Sequence, residues 1–496
     1  MLYSACERIE VELSGNPSVA AELGVLVAES ASRLGDLGLA RQACDAALPR
    51  CILAFGQTHA LTLQTRYLMM EAANERGDYK LAANIGPQLV ADLRLKLPLH
   101  ASLLVSSLRE HSFELAKHEL QAPSLATLQE AVEIAEQHLG PLHDETLTSI
   151  GLLSNTFTHF ALHAESLPVA ELAMQRARTA YGDLRPHTQL VSPERWYAAA
   201  LNNCGRPADA EPIARRCVAD QRLLDGENSI RVVNAMRVHA SVLVGMGRWA
   251  DSVQMAQQVR ADQERLLPGD HIDAATGARA LASAWWPTRR TDLIAPLLVE
   301  EEAMLARLNA DTAAKTMARH RTRTFLAAWA GDLVAVQAES AIVLADSTPA
   351  FAYERARVTC AQSIVLQRLG RYSEALPLAE QALSLAQTEA PNLTPVHVSH
   401  AQEALGLALL ELGQVDKAFT HLQMAEIELE RGQVVPSVWY ADSRLGQARV
   451  HILRGDHRVA QALLNEVEAW WAEANPGSVW HDEVKAWQTR ASELPA

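Results

Sequence analysis

Four arginines, Arg195, Arg237, Arg279 and Arg321, stand 42 residues apart without deviation. A guanidinium is a rigid fork of donors that grips carboxylate and phosphate oxygens in pairs, so a row of them is chemistry for holding an extended anion. Each lies ten residues before Gly205, Gly247, Arg289 or Gly331, positions where a chain turn recurs, so the four share one structural address. Chance produces such a register in only about a few per cent of chains of this composition, if repeats vary independently. Internal duplication also copies a residue without selecting it for binding, so a functional ladder and a copied surface residue both fit the spacing.

No other constellation accompanies it. The chain has no glycine-rich phosphate loop, no His-Glu-x-x-His, no Gly-x-Ser-x-Gly and no kinase signature, and no catalytic residue is expected. His397 and His400 are one helical turn apart, but no carboxylate or thiol cluster completes a metal site, and they read as solvated histidines. Asp144-Glu145 and Asp482-Glu483 read as helix caps that favour the helix dipole. The expectation is a protein that is not an enzyme and holds no cofactor or metal.

The formal charge of −15 opposes nucleic acid and anionic membrane as general partners. Six cysteines without a Cys-x-x-Cys pair point to a reducing compartment, although Cys204 and Cys217 fall on the two helices of one repeat and could approach each other. Residues Met1 to Gly15 carry Glu7, Arg8, Glu10 and Glu12 where a signal peptide needs an apolar stretch, and no segment reaches membrane-spanning length. A cytoplasmic protein is expected.

The elements that would carry the arginines follow from a recurring turn. Gly35-Asp36 with Ala40, Gly77-Asp78 with Ala82, Gly205 with Ala210, Gly370 with Ala375, Gly413 with Ala418 and Gly455-Asp456 with Ala460 repeat one phrase, a turn glycine and a small residue five positions on. Adding Glu119, a turn within 161–165, Gly247, Arg289 and Gly331 gives eleven units. A period near 42 residues means helix pairs that bury their apolar faces only by stacking. The sequence predicts an all-α chain, helical from about Pro17 to about Leu494: a right-handed α-solenoid of about eleven helix-turn-helix repeats. Its parts are a lead-in over 1–16, a superhelix over 17–465 and a C-terminal capping helix within 466–496. Trp470, Trp471, Trp480 and Trp487 in that last segment pack the cap or offer an aromatic docking site. Glycine at the turn accepts a left-handed conformation, so Glu119 and Arg289 in its place predict strain or a changed turn.

Between units a second phrase recurs: Gly56-Gln57-Thr58-His59 with Thr62, and Gly140-Pro141-Leu142-His143 with Thr146, echoed at Gly182 with His187 and at Gly269-Asp270-His271. Together the turn glycine, the following alanine, the 42-residue period and this linker resemble tetratricopeptide repeats of the kinesin-light-chain type. The stretch from Arg8 through Leu23 also resembles the entry to repeat regions of bacterial serine/threonine kinases and modular regulators. Register slips are expected in 99–165 and 287–350, where spacing falls to 39 between Gly331 and Gly370.

The resemblance implies that the first helix of each unit lines a concave groove. It places Arg195, Arg237, Arg279 and Arg321 down the middle of that groove as exposed side chains, beside Asn202, Asn234, Ser241, Ser283 and Trp286. The function implied is a non-catalytic scaffold or sensor for a protein or peptide, acidic or phosphorylated, bound in an open groove without a closed apolar pocket. The alternative is the ligand-responsive regulatory region of a bacterial kinase or transcription regulator whose output domain is absent from this chain. An enzyme on a helical-repeat frame is the third reading.

Overall fold

A computed structural model describes residues 2–13, 15–34, 36–75, 78–118, 120–160, 162–182, 184–267, 271–308, 311–348, 351–388 and 395–493. Among them are twenty-four α-helices, two three-residue 3-10 turns and no strand. In chain order, a leading helix Leu2–Glu12 is followed by eleven successive helix pairs and a closing helix Val479–Ser492. The chain is an all-α repeat solenoid. One helix was not anticipated: Leu2–Glu12 precedes the expected start at Pro17 and packs on Pro17–Arg33.

The recurring phrase is a helix stop followed by a helix start. Gly331 ends Ala313–Ala330 in the left-handed region at φ 77°, and the Asp332 carboxylate then caps Leu333–Leu344 by accepting from the Ala335 N–H. Asp36 and Asp78 cap the next helices in the same way, while Gly35, Gly77 and Glu119 lie outside the described residues. The alanine that follows has no room for a larger exposed side chain: Ala40, Ala82, Ala210, Ala375, Ala418 and Ala460 are all fully buried. Arg289 takes the left-handed conformation without being glycine, at φ 53°, as expected of that position.

The linker phrase is a cap as well. The Nδ1 atoms of His59, His143, His187 and His271 each accept from the backbone N–H two residues on, at 3.1–3.3 Å. Thr62 and Thr146 donate their hydroxyls to the carbonyls of Gly56 and Gly140, both at 2.8 Å, which ties the loop to the helix it introduces.

Contacts gather the chain into two units, Met1–Phe160 with Pro168–Leu184, and Ala161–Leu167 with Arg185–Ala496. The first is built on the pairs from Pro17–Arg33 to Gln121–His138 and on Asp144–His159. Arg109, which precedes Glu119 by ten residues, pairs there with the Glu145 carboxylate. The second runs from Thr188–Asn203 to the closing helix, and carries all four spaced arginines on the first helices of successive pairs. The segment from Glu466 onward holds the end of His457–Ala474 and the closing helix, with Trp471 fully buried between them. All six cysteines are free thiols, including Cys204 and Cys217.

Candidate partner-binding site

Arg195 lies on Thr188–Asn203, Arg237 on Ile230–Gly245, Arg279 on Ile272–Trp285 and Arg321 on Ala313–Ala330. Contrary to expectation none of the four is exposed; each is half-buried, because the second unit closes around them. Two are already neutralised. Arg279 pairs with Glu301 at 2.7 Å, and Arg321 pairs with Glu354 at 2.9 Å while lying over the Tyr353 ring.

The other two have no carboxylate within ion-pair distance among the described residues. Arg195 lies over Trp196, and Arg237 makes no hydrogen bond, its Nε buried and unsatisfied. Burial, and then the charge of Arg237, lowers the Arg195 pKa to about 10. Burial also lowers that of Arg237, with Asp273 acting the other way.

The remaining positions fall into two groups. Asn202 donates to the Ser241 hydroxyl at 3.1 Å, and Asn234 carries a buried, unsatisfied Oδ1. Ser283 is exposed and bonds back to the Arg279 carbonyl at 3.0 Å. Trp286 belongs to a different neighbourhood, packed 4.7 Å from Trp329 and 5.4 Å from Phe325 between ring centroids.

A fifth arginine, Arg357, extends the row, and the sequence missed it because it lies thirteen residues before Gly370, where the ten-residue address is held by Cys360. It is 4% exposed, donates to His400 Nδ1 at 2.9 Å and lies over the Phe325 ring. His397 and His400 are therefore not solvated. His397 meets the Tyr353 hydroxyl at 3.1 Å and His400 packs on Trp439. Burial, and then the Arg357 charge, holds both well below the ordinary histidine pKa. Among the described residues no group of three or more His, Cys, Asp or Glu could hold a metal.

The second unit returns on itself. A Cβ on Gly205 would collide with the Pro395 ring, the Val435 N–H donates to the Met246 carbonyl at 2.9 Å, and Arg289 pairs with Asp442. Three successive turns thus meet chain that follows much later. Arg289 also lies 5.2 Å from the ring centroids of both Trp471 and Trp480, and Asn475 donates to the Thr288 carbonyl at 3.0 Å.

The return borders a half-open cavity of about 390 Å³ lined by Trp286, Phe325, Trp329, Trp439 and Trp480 together with charged side chains such as Arg368, Asp442 and Glu483. Glu403 lines it at 4% exposure, and burial followed by the Asp442 charge pushes its pKa well above the usual carboxylate range. These residues come from helix pairs far apart in sequence; only the density of tryptophan hinted at them.

Residues 363–389, which span the Gly370 turn, match the tetratricopeptide-repeat family model. Over 75% of this chain and 99% of the other, the fold matches a Rap protein crystallised with competence and sporulation factor, at TM-score 0.55 and 11% identity. One stretch of the chain is thus similar to a tetratricopeptide repeat, within an all-α repeat solenoid. A kinesin light chain with nearly identical repeats from Podosopora anserina aligns at TM-score 0.33 and 17% identity, over 42% of this chain and 97% of that one. Over 140 residues it is 27% identical to penicillin-binding protein activator LpoA of Pantoea ananatis, covering 27% of this chain. The match spans 20% of that relative's length.

Proposed function

We propose that this chain is a non-catalytic scaffold or sensor that binds a protein or peptide along the first-helix face of its second unit. The observation that carries the reading is the row of arginines on that face, two of which lack a counter-charge among the described residues. A carboxylate-rich or phosphorylated segment supplies what they lack, while the overall charge of −15 repels non-specific anions elsewhere. The Rap protein, solved with competence and sporulation factor, is a precedent within the same fold. Six free thiols and the lack of any helix, among the described residues, long and apolar enough to cross a membrane fit a cytoplasmic location.

Immobilised full-length chain should retain a polypeptide from its native host at low salt and release it as salt rises, because contacts made by partly exposed charges are screened. Retention of no polypeptide, or turnover of a bound small molecule, would overturn the scaffold reading.

A further inference from the structure

The repeat supplies its own control for the arginine row. Glu301, which neutralises Arg279, lies 22 residues after it on the second helix of the same pair. The equivalent position is Cys217 for Arg195 and Val259 for Arg237. Both are buried, at 1% and 0% exposure, so the address that could hold a counter-charge is filled by apolar packing at the first two rungs. Arg321 has Val343 at that address but takes Glu354 from the next pair instead. Asp273 is the acidic group nearest to Arg237 in effect, yet its carboxylate makes no ion pair with it and lies 3.7 Å from His271 Nδ1.

Arg195 and Arg237 therefore remain as two adjacent, half-buried cations whose repulsion is weakly screened. Around them stand neutral polar groups with spare capacity: the Arg237 Nε donor, the Asn234 Oδ1 acceptor, and the Asn202–Ser241 pair. A carboxylate would neutralise one fork. A phosphoryl group carries a charge of about −1.5 to −2 near neutral pH and three acceptor oxygens, which suits two forks at once.

We infer that Arg195 and Arg237 form an open oxyanion site for a phosphoryl group, free or carried on the polypeptide bound along the first-helix face. Arg279 and Arg321 are closed by Glu301 and Glu354 and lie outside this site. The inference rests on the scaffold reading for its phosphorylated form.

The test titrates full-length chain, at constant ionic strength, with a phosphoserine-centred peptide library, the same library carrying unmodified serine, and inorganic phosphate. The phosphorylated library should bind at least tenfold more tightly than the unmodified one. Arg195→Gln and Arg237→Gln should each erase that preference, and so should Val259→Glu, which supplies the missing carboxylate at the address of Glu301. The paired Arg279→Gln, Glu301→Gln variant should keep the preference within about twofold, and thermal melting confirms that each variant folds. Inorganic phosphate bound in an Arg237-dependent way without any library preference assigns the site to the free anion. No phosphate binding together with no preference, or a preference that survives Arg237→Gln, would overturn the site. If the phosphorylated library binds wild type and Arg237→Gln equally, the oxyanion site falls while the scaffold reading stands.

Discussion

Arg289 reaches the carboxylate of Asp442 across 153 positions of sequence, and does so from the one described turn between paired helices at which a left-handed residue is not glycine. The side chain that fastens the second unit is thus carried by a backbone conformation that disfavours any side chain. Arg289→Ala should cost about 2 kcal/mol through loss of the ion pair and the contacts with Trp471 and Trp480. Arg289→Gly loses the same contacts but relaxes the turn, and should be milder by about 1 kcal/mol. Urea denaturation of both variants measures the two terms; equal losses would mean that the turn is unstrained.

His397 and His400 make the fold acid-sensitive. Burial and Arg357 depress both pKa values, so the native state binds fewer protons than the unfolded one. Their contribution is present above an unfolded pKa of about 6.5 and is lost as pH falls below it toward the depressed native values. Melting temperature should decline on acidification through that range, and the double variant His397→Gln, His400→Gln should flatten the decline. An unchanged acid limb would place the sensitivity elsewhere.

Glu403 acts with the opposite sign. Its native pKa is raised, so the stability it contributes is present below an unfolded pKa of about 4.3 and is lost as pH rises toward the native value. Glu403→Gln should therefore stabilise the protein at neutral pH and have little effect near pH 4. Calorimetric scans at both ends of the range decide it.

The linker caps can be tested at His143. His143→Ala should cost about 1 kcal/mol through loss of the bond to the Glu145 N–H, and His143→Asn should recover most of it, because asparagine is a good cap. Chemical denaturation of the pair of variants distinguishes a cap from a packing role, in which asparagine would be no better than alanine.

Gly370 isolates the backbone term. An added Cβ there meets nothing within 4 Å, but φ is +70°, so Gly370→Val should cost about 1–2 kcal/mol without any steric clash. A neutral result would mean that the turn shifts to accommodate the side chain.

Local grammar was legible in the sequence wherever one residue type serves one backbone need. Gly205, Gly331 and Gly370 have the left-handed conformation that their recurrence implied, Arg289 shows the predicted exception, and the small residue at Ala375 or Ala418 is fully buried. The spaced arginines do sit on the first helices, at one address. What stayed hidden depends on the sum of many small rotations between repeats, which no single residue records. That sum brings Pro395 to Gly205 and leaves His397 and His400 half-buried. Arg357 escaped because it stands thirteen residues before Gly370, one helical turn away from the address that the others share and that Cys360 holds here.

The bond from Asn475 to Thr288 joins residues 187 positions apart. During synthesis at about 5–20 residues per second, the turn at Thr288 emerges roughly ten to forty seconds before its partner exists. In an array held by neighbouring repeats alone, each pair can settle on the one before it as it leaves the ribosome. Here the rim formed by the turns at Gly205, Gly247 and Arg289 must wait, with Trp286 and Trp329 lacking their later neighbours such as Trp480. That interval is a period of exposed aromatic surface in the life of every new chain, and the one in which a holding chaperone would have most to protect.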